Sequence, residues 1–89
     1  MSAYLTVRYW AAARDAAGVE TDQIPVHELP AGAAAATVAH VLSAAVHRRP
    51  ALDPVVAVSS VLVDGLAVAR DHVLSPGSVL EVLPPFAGG

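Results

Sequence analysis

Cysteine is absent from the 89 residues, which excludes disulfides, thiolate metal sites and a cysteine nucleophile. Lysine is absent as well, the five basic residues being Arg8, Arg14, Arg48, Arg49 and Arg70. Only Arg48 and Arg49 adjoin, and the net charge is -3. Phosphate binding relies on clustered basic side chains, so no nucleic-acid partner is expected. The longest apolar stretch, "AGAAAATVAHVLSAAV", is mostly alanine and contains His40. It falls short of the roughly 20 residues that a membrane span needs, so no membrane partner is expected. No basic segment precedes an apolar block near Met1, and Arg8, Arg14 and Asp15 interrupt the apolar residues of the first turns of chain. No signal peptide is expected on that pattern, and a cytoplasmic domain is.

What is present fits one domain with a single core. In "AYLTVRYW" Leu5, Val7 and Tyr9 share one side of a strand, while Tyr4, Thr6, Arg8 and Trp10 share the other. "AAARDAAG" predicts a short helix with Gly18 at its C-terminal cap. "VETDQIPVHEL" carries a weaker strand signal through Ile24 and Val26, and Pro25 places that strand at an edge. Val38, Val41, Leu42, Ala45 and Val46 form the stripe of a helix buried along one side, with Thr37 as N-cap and Pro50 as its stop. The β-branched run from Val55 to Val63 predicts a buried strand. Asp64-Gly65 returns the chain as a hairpin through Leu66 to Ala69. "SPGS" then turns into a last strand, Val79 to Leu83.

Strands, one long helix and further strands describe an α+β domain with a mixed sheet covered on one face. In the last strand Leu80 and Val82 point one way and Val79, Glu81 and Leu83 the other, so the uncovered face exposes apolar residues and is a candidate docking surface.

The chain is poor in side chains that carry chemistry. His40 and His47 are seven positions apart, too far for the paired ligands of a helical zinc site, and His27 and His72 lie in separate segments. All four read as solvated, and no metal is expected. His47, Arg48 and Arg49 suit the negative end of the helix dipole. No glycine-rich loop follows a strand, and Ser59-Ser60 has no identifiable base.

The terminal "LPPFAGG" is more distinctive. Pro84 and Pro85 favour an extended geometry that ends the last strand and directs the chain away from the body. Phe86 to Gly89 reach about 13 Å further at roughly 3.3 Å per residue. Neither glycine has a β-carbon, so the end can thread a narrow channel. A frayed terminus that happens to be glycine is the competing interpretation.

Together "LPPFAGG", "VLVDG", "SPGSVLEV" and "VRYWAAARDAAG" resemble the small subunit of molybdopterin synthase, a ubiquitin-like sulfur carrier of the MoaD/ThiS type with the β-grasp fold. The resemblance covers nearly the whole chain. A terminal Gly-Gly is common to the carrier class, including those of thiamine and cysteine synthesis; the Pro-Pro-aromatic-x-Gly-Gly form is more characteristic of the molybdopterin branch. Phe86 stands where that branch usually has an aliphatic residue, "SPGS" where it often has an Asp-Gly-Asp turn, and the first helix is unusually rich in alanine.

The resemblance implies a β-grasp body at 1–83 and an extended tail at 84–89. It implies a non-catalytic carrier whose Gly89 carboxylate is first adenylated and then converted to a thiocarboxylate. No cofactor is bound; the ATP is used by the activating enzyme, an E1-like adenylyltransferase/sulfurtransferase. The large subunit of molybdopterin synthase is the second implied partner, in a heterotetramer. Gly88 keeps the tail slender, Pro84, Pro85 and Phe86 direct and anchor it, and Leu83, Trp10 and Arg14 match contact positions. A carrier of another pathway and a ubiquitin-like protein modifier are the alternatives. As a modifier, a lysine-free chain is unable to build lysine-linked polymers of itself.

Overall fold

The computed structural model describes residues 3–29 and 36–85. The alternation in the first strand, β1 (Tyr4–Tyr9), sorts its side chains as the sequence predicts: Leu5, Val7 and Tyr9 are buried, whereas Tyr4 and Arg8 are exposed. A chain with these two unlike sides is stable only with a layer packed on the apolar one.

That layer is helical. A short helix, α1 (Ala12–Ala17), follows β1 and ends at Gly18, whose φ of 78° is the left-handed cap predicted for it. The edge strand β2 (Thr21–Pro25) pairs antiparallel with β1, and Pro25, which has no N–H to donate, stands at its end. One 3-10 turn, Val26–Glu28, completes this segment.

The long helix α2 (Val38–Arg48) buries Val38, Val41, Leu42 and Ala45. Thr37 caps it as predicted, through a reciprocal arrangement that the sequence does not foretell. The His40 N–H donates to Thr37 Oγ1 at 3.3 Å, and the Thr37 N–H donates to His40 Nδ1 at 3.2 Å. Histidine thus takes the place usually held by Glu or Gln in a capping box. His40 is therefore not merely solvated, as expected from the sequence. Replacing His40 by Ala is expected to lower stability by about 0.5–1 kcal/mol, and His40→Glu to restore it, since both the cap and the helix dipole favour a carboxylate there. Urea denaturation of the three proteins measures this.

The predicted strand from Val55 to Val63 is corrected by the structure. A 3-10 turn, Pro50–Leu52, leads into a third helix, α3 (Asp53–Val58), and the strand β3 comprises only Ser60–Val63. Proline in the first turn of α3 costs nothing there, because the first N–H groups of a helix have no intrahelical partner. Leu52 and Val56 are drawn into the core, and Arg70 Nη2 closes the other end by donating to Val56 O at 2.8 Å and Ser59 O at 3.1 Å.

The predicted hairpin forms at Asp64-Gly65, whose φ values of 49° and 87° are the paired left-handed conformations of a type I′ turn. Its return strand β4 is short, Leu66–Ala67. At Pro76-Gly77, Gly77 has φ 89° and the Ser78 N–H donates to Ser75 O at 3.1 Å, delivering the chain to β5 (Val79–Leu83). The sheet order is β2-β1-β5-β3-β4, with β5 parallel to β1 and antiparallel to β3. Leu80 and Val82 are buried, as the parity of β5 predicts.

Candidate docking face and tail root

The opposite side of the sheet is built from the alternate residues of the same strands. Arg8 lies opposite Glu81, Glu81 opposite Leu62, and Leu62 opposite Ala67, forming one row across four strands. In the next row Ser60 lies opposite Leu83. Trp10 extends β1 past its last ladder pair, its N–H donating to Val82 O at 3.2 Å. The chain then turns into α1 through Ala11, at φ 49°.

The result is a mixed surface at the C-terminal end of β5. Trp10 and Leu83 are both half-buried and stand outside the core. The Arg8 guanidinium carbon is 4.4 Å from the centroid of the Trp10 ring, within reach of a cation–π attraction. Trp10 Nε1 is buried and has no hydrogen-bond partner among the described residues. Pro84 is buried and Pro85 exposed, so the strand gives way to the tail beside Trp10, Leu83 and Ser60.

Among the residues singled out in the sequence, Trp10, Leu83, Pro84 and Pro85 thus come together. Arg14 follows on exposed α1 surface and faces Glu20 Oε1 at 3.7 Å. Phe86, Gly88 and Gly89 lie outside the described residues. Sequence reasoning puts Arg8 and Glu81 on this outer side without singling them out as site residues and assigns Leu62 no face; the three occupy its middle. The parity that sets Trp10 and Leu83 apart applies equally to them and is the available signal.

Across the sheet, β1 is tied to the helical layer by a polar cluster. Tyr9 Oη donates to Asp22 Oδ2 at 2.8 Å, and Arg49 grips both carboxylate oxygens, Nε to Oδ2 and Nη2 to Oδ1, each at 2.7 Å. Arg49 Nη1 also donates to Ala17 O at 3.1 Å. Hydrogen bonding from Arg49 holds the Asp22 carboxyl below its ordinary pKa, against the opposing effect of burial. Burial, then the hydrogen bond to Asp22, raises the Tyr9 phenol well above its usual range. Arg48 in turn meets Glu28 at 2.6 Å. The two arginines therefore do more than complement the α2 dipole.

This cluster sets a pH dependence. A lowered Asp22 pKa means that the ion-paired form contributes its full stability above the unfolded value of about 3.9 and loses it as pH falls through the lower folded value. Asp22→Asn should remove that acid-side slope and cost about 2–3 kcal/mol near neutrality, because it leaves the Arg49 charge without its partner. Denaturation followed at a series of pH values down to the acid limb tests both.

His40, Ser43, Ala44, His47, Glu28 and Arg48 line a groove of about 370 Å³ on the other side of α2. Among the described residues no three His, Cys, Asp or Glu side chains converge as a metal site, and no helix is long and apolar enough to cross a membrane.

The fold has parallels in solved structures. The chain is similar to small archaeal modifier protein 1 of Haloferax volcanii, at 27% identity and TM-score 0.78, covering 93% of this chain and 98% of that one. It is similar to a Pyrococcus furiosus protein assigned as molybdopterin converting factor subunit 1, at 29% identity and TM-score 0.77, covering 94% and 99%. A complex of subunits 1 and 2 of molybdopterin-converting factor from Helicobacter pylori shares the fold at 20% identity and TM-score 0.65, covering 97% and 99%. No curated protein matches the chain. The fold is the ubiquitin-like β-grasp, as the resemblance implied. The ThiS family model matches residues 7–89, which takes in all of the sheet but the first half of β1, the helical layer and the Gly-Gly ending; the chain belongs to the ThiS family.

Proposed function

We propose that the chain is the sulfur carrier of molybdenum cofactor biosynthesis, acting as the small subunit of molybdopterin synthase. The observation that carries this reading is the family match through Gly89 on a β-grasp body. The Pro84-Pro85 pair ahead of the Gly-Gly ending and the likeness to a converting-factor subunit 1 support the choice of pathway.

The chemistry is that of the carboxyl group. A carboxylate is ionised at neutral pH and nucleophilic toward phosphorus, but its carbonyl is a poor electrophile. Attack by the Gly89 carboxylate on the α-phosphorus of ATP expels pyrophosphate and yields an acyl-adenylate. A sulfur nucleophile then displaces AMP at the acyl carbon, leaving a thiocarboxylate. The large subunit supplies the catalytic groups and positions this sulfur against the pterin. The carrier contributes the sulfur, the slender Gly88-Gly89 tip and a docking face. On that face Trp10 and Leu83 flank the root of the tail, and Phe86 seats in the partner's groove.

Incubation with an activating enzyme, ATP and a sulfur donor, followed by intact mass, should show one sulfur replacing one oxygen. Mixing the charged carrier with a large synthase subunit and the pterin precursor should then yield the dithiolene. A carrier that charges but supports no dithiolene formation belongs to another pathway. The likeness to a small archaeal modifier protein favours, as a second reading, attachment to other proteins. An amide-linked adduct in place of the thiocarboxylate decides for it.

A further inference from the structure

Lysine is ordinarily among the commonest residues of a soluble domain, yet neither lysine nor cysteine occurs here. Structural need explains this at only some of the arginines. Arg49 makes a two-pronged contact with Asp22 and a third bond to Ala17 O, which requires the guanidinium fork. Arg8 sits over an aromatic ring, where guanidinium is also favoured. Arg14 and Arg48, by contrast, each reach a carboxylate through a single nitrogen, at 3.7 Å and 2.6 Å. Arg70 serves two carbonyls from one nitrogen. An ammonium group has the donors for all three tasks.

The side chains that could still react with an activated acyl group are weak nucleophiles or are occupied. Tyr9 is buried, bonded to Asp22 and held protonated. Ser59 donates to Val55 O at 2.7 Å, and Thr37 Oγ1 accepts from His40. Exposed hydroxyls are poor nucleophiles without an adjacent base. Imidazoles form acyl adducts that water returns to the carboxylate.

We infer that the composition makes the side chains of the carrier inert toward its activated C-terminus, with no ε-amine or thiol on any copy to intercept it. The inference rests on the reading of Gly89 as the activated group. On an acyl-adenylate, attack by a lysine ε-amine forms an amide, expels AMP and releases a proton, and the amide is a dead end for sulfur transfer. A cysteine thiolate likewise forms a thioester and expels AMP. On an activated carrier, either residue would divert the intermediate from the sulfur donor. The lack of both leaves the donor without competition from the carrier's side chains.

The test returns amines to the surface. Ala39, Ala51 and Arg48 are exposed, so Ala39→Lys, Ala51→Lys and Arg48→Lys, singly and together, retain the fold; Arg48→Lys alone also keeps the charge unchanged. Each protein is incubated with activating enzyme and ATP, first without and then with the sulfur donor, and analysed by denaturing electrophoresis and intact mass. Without donor, wild type is expected to remain monomeric, while the lysine variants accumulate amide-linked dimers or species lighter by one water. With donor, the variants are expected to give less thiocarboxylate than wild type. Lysine variants that stay free of amide adducts and charge as fully as wild type overturn the inference alone. If wild type itself acquires no sulfur when the donor is present, the reading of Gly89 falls, and the inference falls with it.

Discussion

Deletion of Gly89, or addition of one alanine after it, is expected to abolish pterin sulfuration while leaving the melting temperature almost unchanged. The buried residues of the described core run from Leu5 to Val82, and Gly89 is not one of them. The expected effect is chemical. Removing Gly89 moves the carboxyl back by one residue, about 3.3 Å of extended chain, and adding alanine moves it forward and places a β-carbon on the acyl residue. Reaction at an acyl carbon requires near-contact alignment, and displacements of the order of 1 Å already cost about 100-fold. Rates of dithiolene formation measured beside thermal melts of wild type and both variants check the separation. A variant that melts normally and still transfers sulfur would remove Gly89 from the reaction.

The second large effect separates the two faces of β5. Val82 is fully buried, and Leu83, one residue on, is half-buried on the outer face beside Trp10. Val82→Asp places a charge in the core without a partner and is expected to cost more than about 4 kcal/mol. A domain of this length is stable by only some ~4–13 kcal/mol at roughly 0.05–0.15 kcal/mol per residue, so much or all of that margin is lost. Leu83→Asp is expected to cost about 1 kcal/mol or less, since the carboxylate can turn to water. It should nevertheless weaken binding to the large subunit by about 2 kcal/mol or more, roughly 30-fold, by placing a desolvated charge at the root of the tail. Calorimetric titration of the folded variant against that subunit, beside circular dichroism of both variants, distinguishes the outcomes. Equal unfolding by the two substitutions would mean that the exposed face has been assigned to the wrong residues.

The contrast between these neighbours was legible because strand parity is a local property. Alternation within β1 and β5 separates Leu5, Val7, Leu80 and Val82 from Trp10 and Leu83 with no knowledge of the rest of the fold. The stripe of α2, the cap at Gly18 and the Asp64-Gly65 hairpin are local in the same sense. The misreading of α3 has the same origin. Val55, Val56 and Val58 favour a strand by their branching, and a helix of six residues is too short to show its period. What decides for the helix is tertiary: Leu52 and Val56 are buried against the core, and Arg70 satisfies the carbonyls at its end. The Tyr9–Asp22–Arg49 cluster was hidden for a related reason. Its members lie 13 and 27 positions apart, and no short-range pattern marks a pair that meets only when α2 packs on the sheet. The tail was recognisable as a motif, but the chemistry proposed for it belongs to a partner enzyme and is marked by no local pattern.

The position of β5 has a mechanical consequence. It runs between β1, parallel to it, and β3, antiparallel to it, and the tail continues from its C-terminal end. Tension drawn along the tail by an enzyme that holds its tip is therefore directed along the strand, across hydrogen bonds that lie roughly transverse to it on both sides. Those bonds share the load in shear and do not open one after another, as they would at an edge strand peeled from its end. A pull on the last residues therefore loads the middle of the sheet at once, and the body keeps its shape under it.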